Sequence, residues 1–273
     1  MVVIVDSDLV ARLESSAAAS AIALAEAFQT IYPGDPARGE RRGSGAVVAL
    51  GPGRYVNRAI GVTMDDPRDG ELGAIERFFA NAGVDSAIEL ASWCSEGLLQ
   101  RLTARGYSNQ WFRDVYVQRA DSAAPAVPAR AGVSGVSFDV VAPATVAGWQ
   151  QVLAEGIGIA DDEARRTSNE FALAVHGVPG SLDVIARIDG EPVGCGSVQP
   201  ADGVAWLGGA ATRPEYRRRG VQSALLAHRL GEVQATGCDL VAATALSGST
   251  SARNLARAGF TLAYVQVVMT QTG

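Results

Sequence analysis

Apolar and polar residues alternate along the first half of the chain with periods that predict a series of helices and strands. A long alanine-rich stretch at about 8–29 has helical spacing and leads into loops rich in Gly and Pro. Two strand-like runs follow, GAVVAL and YVNRAIGVTM, and then a helix at about 70–82. This half closes with a strand (SAIELAS), a short helix (EGLLQRLTARG) and a final strand (FRDVYVQ).

The second half shows the same kind of pattern with more strands. It begins with the strand VSFDVVA and two helices, TVAGWQQVLAEG and DDEARRTSNEFALAVH, that flank the loop GIGIA. The strands SLDVIARID and EPVGCGSVQ come next, and Asp189-Gly190 between them predicts a hairpin turn. After the strand VAWLGGAAT we expect an arginine-rich loop, a helix at about 221–236, the strand DLVAATAL, a helix at about 250–258 and the strand TLAYVQVVMT.

A stretch of small residues divides the chain. Residues 120–135, ADSAAPAVPARAGVSG, contain prolines and lack an apolar period, which is typical of a linker. We therefore expect a domain at 1–120, a linker at 121–135 and a domain at 136–273. Both domains end in a strand, a helix, a Gly-aromatic pair and a strand, so we interpret the chain as an internal duplication, with chance likeness between two such units as the alternative.

Charge and composition narrow the classes of function. The chain has 29 acidic and 23 basic residues and a net charge of −6, which argues against a nucleic-acid-binding protein. It has no lysine, which excludes a Walker-type phosphate site and Schiff-base chemistry. No apolar run reaches the roughly 20 residues that span a bilayer, so we expect a soluble cytoplasmic protein without a membrane partner.

The cysteines and histidines do not form a recognisable site. Cys94, Cys195 and Cys238 are far apart, and His176 and His228 are equally isolated. Neither a disulfide framework nor a metal cluster is supported, and we expect no metal. Nothing near Cys195 in the sequence would stabilise its thiolate, so we interpret it as a packing residue.

The stretch PEYRRRGVQSALL, residues 214–226, is the strongest candidate for chemistry. Three arginines and Gly220 precede an apolar helical pattern, although a helix start usually carries a polar cap and acidic residues. A strand, a loop and a glycine-containing helix start direct backbone N–H groups at one point, which favours an anion such as a pyrophosphate. A basic surface turn is the alternative. The corresponding loop of the first half, DDPRDGELG at 65–73, is acidic, so we expect only the second half to bind an anionic cofactor.

Residues 212–226, TRPEYRRRGVQSALL, resemble the acetyl-CoA loop of the GNAT N-acetyltransferase superfamily, whose pattern is Arg/Gln-x-x-Gly-x-Gly/Ala after a strand. Arg217 and Gly220 match it, and so do ARNLARAGF at 252–260 and the order of elements from Val136 onwards. The resemblance covers the second half closely and the first half as a degenerate copy. It implies an α/β (α+β) fold of two GNAT-like domains, each a mixed, mostly antiparallel sheet flanked by helices. It also implies acetyl transfer from acetyl-CoA to an amine, which we expect to be a small molecule.

The resemblance further implies a cofactor site. Amides after Arg217 would hold the pyrophosphate, those at the preceding strand end would hold the pantetheine arm and polarise the acetyl carbonyl, and polar residues further on would contact the arm. The residues so implied are Ala210, Ala211, Thr212, Arg217, Arg218, Arg219, Gly220, Val221, Gln222, Ser223, Ser251 and Asn254. Two positions depart from the family: Gln222 crowds the phosphate loop where Gly or Ala is usual, and Leu255 stands where many members have a proton-donating tyrosine.

A general base is expected among carboxylates near the GIGIADDEA loop. The candidates are Glu155, Asp161 and Asp162, although each also fits a solvated acid and Asp161 fits a helix cap. In the family, the acceptor wall corresponds to residues 156–162 and the neighbourhood of Tyr264, and Trp206 would add an aromatic ring. A non-catalytic acyl-CoA-binding module is the alternative function. A Rossmann-type nucleotide binder needs a G-x-G-x-x-G motif after a strand, and the sequence has none.

Overall fold

The computed structural model of the chain describes residues 3–122 and 135–271. Most of the predicted linker, residues 123–134, lies outside the described residues. The described chain forms two compact units. We call them the N-terminal unit (residues 4–116, 244–252 and 262–271) and the C-terminal unit (residues 3, 117–122, 135–243 and 253–261). The N-terminal unit thus includes residues from the end of the chain, and the domain bounds expected from the sequence stay a prediction.

Helices and strands alternate along the described residues, as the periodicity predicts. The helices are α1 (Ser7–Ile31), α2 (Asp69–Ala80), α3 (Glu96–Ala104), α4 (Val146–Ile157), α5 (Asp162–Gly177), α6 (Val221–Val233) and α7 (Thr250–Arg257). The strands are β1 (Arg38–Arg42), β2 (Gly45–Ala49), β3 (Asn57–Ile60), β4 (Ser86–Ala91), β5 (Ser108–Arg119), β6 (Val136–Val140), β7 (Leu182–Ile188), β8 (Glu191–Ala201), β9 (Val204–Thr212), β10 (Leu240–Leu246) and β11 (Thr261–Gln271).

The sheet of the N-terminal unit has the strand order β1-β2-β3-β4-β11-β5. Strands β1, β2 and β3 pair antiparallel, and β11 pairs antiparallel with β4 from Gln266 opposite Ala91 to Gln271 opposite Ser86. Strands β3 and β4 are parallel and pair at a single position, Ala59 opposite Ile88. Helices α2 and α3 cover one face, where their apolar residues pack on β2, β4 and β11.

Two details of this unit differ from the sequence prediction. Strand β1, RGERR, was not predicted, because it has no apolar alternation and its residues are half-buried or exposed. The run YVNRAIGVTM, predicted as one strand, contains the four-residue strand β3 and then a 3-10 turn at Val62–Asp65. Gly61 separates them with a φ of 73°, a left-handed conformation that ends the strand.

The sheet of the C-terminal unit has the strand order β10-β9-β8-β7-β6. Its strands are antiparallel apart from β9 and β10, which run parallel from Val204 opposite Leu240 to Leu207 opposite Ala243. The predicted hairpin at Asp189-Gly190 is confirmed, with positive φ values of 51° and 84° as a type I′ turn requires. Both units therefore have the predicted class of fold, a mostly antiparallel mixed sheet flanked by helices.

The last strand of the chain belongs to the N-terminal unit. Residues 262–271 of β11 lie between β4 and β5 in that unit, although β11 follows the second half of the chain in sequence. Conversely, residues 117–119 at the end of β5 belong to the C-terminal unit. The described helices include none that has the length and apolarity to cross a membrane.

Candidate functional site

The loop from β9 to α6 leaves a helix start without a side-chain cap. A 3-10 turn at Pro214–Tyr216 is followed by Arg218 and Gly220 in left-handed conformations, with φ values of 62° and 87°. Gly220 is the N-cap of α6, no side chain accepts its first N–H groups, and its first turn has no acidic residue. The Gly220 carbonyl accepts the N–H of Ala224 at 3.0 Å. The N–H groups of residues 221–223 thus lie at the helix start, where an anion binds favourably.

The three arginines of this loop have different roles. Arg217 donates from Nη2 to the Gly156 carbonyl at 2.7 Å and from Nε to the Thr212 carbonyl at 3.3 Å. Its guanidinium therefore connects the end of α4 to the end of β9 and shapes the loop. Arg219 lies over the Tyr216 ring, 5.1 Å from its centroid. Arg217, Arg218 and Arg219 are all exposed, so all three guanidinium charges raise the positive potential at the mouth of the loop.

Strand β9 changes its pairing just before this loop. Cys195 lies opposite Ala211 and Ser197 opposite Gly208, so the register passes over Gly209 and Ala210 in a β-bulge. Gly209 has a φ of 56°. On the other side, the pairing of β9 with β10 ends at Leu207. The implied cofactor residues Ala210, Ala211 and Thr212 therefore follow a bulge, on a strand end that has left its parallel neighbour.

Gln222, the first departure from the family pattern, lies beside this strand end. Its Oε1 accepts the hydroxyl of Thr212 at 3.4 Å. The side chain is thereby drawn back onto β9 and leaves the Gln222 amide at the helix start. Leu255, the second departure, is buried in α7 with 6% exposure, so no hydroxyl is present at that position.

The side chains of two of the three candidate bases have partners in the structure. Glu155 pairs through Oε2 with Nε of Arg213 at 2.6 Å and accepts Nε2 of Gln151 at 2.8 Å. Asp161 caps α5, since its Oδ1 accepts the N–H of Ala164 at 2.8 Å. Asp162 is exposed in the first turn of that helix. Glu155 is therefore the candidate that an ion pair connects directly to the end of β9.

The remaining candidate residues lie on different elements, β9, α7 and β11. Trp206 lies half-buried on β9, whereas Ser251 is exposed on α7. Asn254, also on α7, accepts a long hydrogen bond from Nη1 of Arg257 at 3.5 Å. Tyr264 belongs to the N-terminal unit and has an exposure of 3%, and its hydroxyl donates to Oε1 of Glu14 at 2.5 Å. The structure thus gives the Tyr264 hydroxyl to a buried carboxylate, and not to an open acceptor wall.

Sequence reasoning missed a buried polar network in the N-terminal unit. Glu14 accepts the side chains of Tyr264 and, at 2.6 Å, Gln266. Glu89 pairs with Arg58 at 2.6 Å and with Arg113. Burial raises the pKa of Glu14 to about 7, and the nearby charge of Glu89 acts in the same direction. Acidic residues within otherwise apolar stretches such as SAIELA were the available signal.

Sequence reasoning also missed Arg229, on the buried face of α6. Its exposure is 2%, and burial lowers the pKa of its guanidinium to about 10. The signal was an arginine at the apolar spacing of Leu225 and Leu226. Among residues 3–122 and 135–271, no group of three or more His, Cys, Asp or Glu side chains could hold a metal ion.

Two grooves of about 350 and 400 Å³ lie in the N-terminal unit. The first is lined mainly by β1 and α2, and the second includes the exposed rings of Tyr55 and Trp111. Neither groove is lined by residues of the arginine loop.

Known proteins share this fold. Residues 153–260 match the family model described as the Acetyltransferase (GNAT) family. A GCN5-related N-acetyltransferase from Kribbella flavida is 21% identical with a TM-score of 0.64, over 93% of this chain and 96% of that one. A tandem GNAT protein from the clavulanic acid biosynthesis pathway is 15% identical with a TM-score of 0.63, over 90% of this chain and 86% of that one. A comparison with curated proteins gave no match.

A third solved structure, a GCN5-related N-acetyltransferase from Sphaerobacter thermophilus, is 19% identical with a TM-score of 0.59, over 78% of this chain and 71% of that one. At these identities the solved structures establish the fold alone. Because the likeness to a tandem protein extends over nearly the whole chain, the predicted pair of GNAT-like domains is confirmed.

Proposed function

We propose that the part of the chain that matches the GNAT acetyltransferase family model, residues 153–260, moves an acetyl group from acetyl-CoA to the nitrogen of a small-molecule amine. The family fold supports acyl transfer in general. The observation that carries the finer proposal is the start of α6, which no side chain caps and which directly follows the left-handed Gly220 and three exposed arginines.

Acetyl-CoA would bind along β9 and the following loop. Amides from Arg218 to Ser223 are suited to the pyrophosphate, since they lie at a helix start that is free of acidic side chains. The backbone of Ala210–Thr212 would pair with the pantetheine arm, because this part of β9 has left β10. Ser251 and Asn254 on α7 would contact the arm further along.

In the reaction we propose, the neutral amine nitrogen attacks the thioester carbonyl carbon. A C–N bond forms, the C–S bond then breaks, the amine proton passes to a base or to water, and the CoA thiolate takes up a proton to leave as the thiol. Backbone N–H groups at the end of β9 would stabilise the oxyanion. Catalysis then depends mainly on positioning and on deprotonation of the amine.

We propose that carboxylates near the α4–α5 loop accept the proton. Of the three candidates, Glu155 is held beside the end of β9 by Arg213, and Asp162 is exposed nearby in sequence, whereas Asp161 is engaged as a helix cap. Trp206 would add an aromatic surface for the acceptor. The net charge of −6 favours a cationic amine through steering.

One observation favours a second candidate function. Leu255 is buried where many family members have a proton-donating tyrosine, so the thiolate has no hydroxyl from that position. A non-catalytic module that binds acyl-CoA would tolerate this change. Release of free thiol in the presence of an amine distinguishes the enzyme from this module.

The proposal is tested by calorimetric titration with acetyl-CoA, CoA and dephospho-CoA. Gly220→Asp places a side chain and a negative charge at a left-handed position of the loop, so we expect it to weaken binding by at least about tenfold. Gly237→Asp is the matched control, because Gly237 is also left-handed, with a φ of 72°, and an added Cβ there meets nothing within 4 Å. The proposal fails if the wild type does not bind at millimolar ligand or if both variants bind equally.

A binding result is followed by a screen for thiol release with a panel of amines that includes polyamines, amino acids and aminoglycosides. Turnover with one of these classes identifies the acceptor. Binding without turnover of any amine would instead favour the acyl-CoA-binding module.

A further inference from the structure

Arg229 is a buried cation without a counterion. It lies on α6 in the C-terminal unit with 2% exposure. No carboxylate of the described residues pairs with it, and its Nε has no hydrogen-bond partner. A buried charge is unfavourable unless something compensates it.

The guanidinium contacts the bulge of β9. Its Nη1 donates to the carbonyls of Ser197 and Gly208, both at 3.2 Å. These two residues are the last paired positions before the register passes over Gly209 and Ala210. Gly196 makes room for the side chain, since an added Cβ there would lie 2.9 Å from Cζ of Arg229. Gly196 thus leaves space for the Arg229 guanidinium, which binds the carbonyls next to the bulge of β9.

The contact with the Gly208 carbonyl has a consequence for the next amide. None of the described peptide bonds is cis, so the N–H of Gly209 points away from the Gly208 carbonyl of the same peptide unit. The carbonyl is directed at Arg229, and the N–H is therefore directed away from it. A donor that binds the carbonyl also polarises the N–H on the other side of the peptide.

That N–H lies on a part of β9 that is free of β10, because their pairing ends at Leu207. We propose that Arg229 is a positioning residue that polarises the Gly208–Gly209 peptide, so that the Gly209 N–H binds the carbonyl oxygen of the acetyl thioester. The inference rests on the proposed function, since it requires acetyl-CoA to lie along β9.

Charge supports the same role. The pKa of Arg229, lowered by burial to about 10, still leaves the guanidinium protonated at neutral pH. When the amine attacks, negative charge develops on the thioester oxygen, and a fixed positive charge behind the peptide stabilises it in a region from which water is excluded. The developing oxyanion would thus supply the counterion that the resting protein lacks.

The test is the carbonyl stretch of acetyl-CoA labelled with ¹³C at the acetyl carbonyl, measured by isotope-edited infrared difference spectroscopy. Polarisation of the carbonyl lowers its stretching frequency, and this readout needs no acceptor amine. We expect the wild type to show such a displacement and Arg229→Met to lose at least half of it. Arg229→Lys keeps the positive charge and should retain most of the displacement. Acetyl-CoA affinity should change by less than about threefold, because the pyrophosphate and pantetheine contacts remain.

Arg187→Met is the matched control, since Arg187 pairs with Asp139 at the surface of the same unit. If Arg229→Met does not fold, Gly196→Ala serves instead, because its Cβ displaces the guanidinium without removing the charge. The inference is overturned if the folded Arg229→Met protein, or Gly196→Ala in its place, keeps the wild-type displacement. It is also overturned if bound acetyl-CoA shows no displacement in the wild type, although cofactor binding would then stand. A wild type that does not bind acetyl-CoA overturns the proposed function itself.

Discussion

The loop before α2 in the N-terminal unit and the loop before α6 in the C-terminal unit occupy corresponding places in the two halves. In the first, Oδ2 of Asp65 accepts the N–H of Ser44 at 2.7 Å, and Asp66 accepts the hydroxyl of Ser95 at 2.6 Å and the guanidinium of Arg101. The hydrogen bond from Ser95, assisted by Arg101, lowers the pKa of Asp66. The first turn of α2 carries Asp69 and Glu71, whereas the first turn of α6 has no acidic residue and no side chain caps that helix.

The same contrast extends to the interiors of the units. Glu89 is the common carboxylate partner of Arg58 and Arg113 within the N-terminal unit, whereas Arg229 in the C-terminal unit has no carboxylate partner among the described residues. The C-terminal unit also contains internal ion pairs, Arg213 with Glu155 and Arg187 with Asp139, so Arg229 is an exception within it. Under the proposed function, the uncapped start of α6 and the uncompensated Arg229 are the two features that acetyl-CoA would complement.

The internal neutralisation of the N-terminal unit gives the largest expected effect. Glu89→Gln leaves two arginines near the sheet without their common carboxylate, so we expect the free energy of unfolding to fall by about 3 to 5 kcal/mol. Urea unfolding followed by circular dichroism measures the change. Glu40→Gln, at an exposed pair with Arg42, is the control and should stay near the wild type. A loss below about 1 kcal/mol for Glu89→Gln would show that the network does not neutralise charge as described.

Titration of Glu14 gives the next effect. Burial raises its pKa in the folded state from the ordinary value of 4.5 to about 7, so the folded protein holds an additional proton between these pH values. The contribution of this proton to the free energy of unfolding is complete below pH 4.5 and is lost as the pH rises through 7. The pKa difference corresponds to on the order of 3 kcal/mol. Glu14→Gln should flatten this part of the pH dependence of unfolding. An unchanged pH dependence in the variant would exclude Glu14 as its source.

The smallest expected effect comes from making the C-terminal loop resemble its N-terminal counterpart. Ser223→Asp places a carboxylate in the first turn of α6, as Asp69 and Glu71 do in α2. We expect the free protein to gain about 0.3 to 1 kcal/mol of stability through the helix dipole, and acetyl-CoA affinity to fall by at least about tenfold. Ser223→Asn is the uncharged control. Thermal unfolding measures the expected gain in stability, and calorimetry measures the expected loss of acetyl-CoA affinity. An unchanged affinity would show that the start of α6 is not part of the cofactor site.

Much of the fold follows from local pattern. Alternation of apolar residues predicts the buried strands, and Asp189-Gly190 predicts its hairpin, because these features depend on neighbours in sequence. Strand β1 escapes this reasoning, since RGERR is stabilised by pairing with β2 and not by burial of its own side chains. The strand order escapes it as well, because an apolar strand such as β11 fits beside several partners equally.

In the candidate site, too, local pattern predicts some features, and contacts between distant segments determine the others. The resemblance around Gly220 identified the loop, and the open helix start agrees with it. Arg217 was grouped with its two neighbours, but a run of identical residues does not reveal which of them turns back to bind carbonyls. Tyr264 was expected near the acceptor, and only the placement of β11 beside β4 shows that it meets Glu14 instead.

The position of β11 also constrains how the protein is made. This strand fills the space between β4 and β5, yet the whole C-terminal unit separates it from them in sequence. During synthesis the N-terminal unit lacks β11 until the C-terminal unit has been translated. Until then, the edges of β4 and β5 that pair with β11 can pair with other chains. The N-terminal unit therefore cannot complete its sheet before the rest of the chain is made, and the unit that is translated first is completed last.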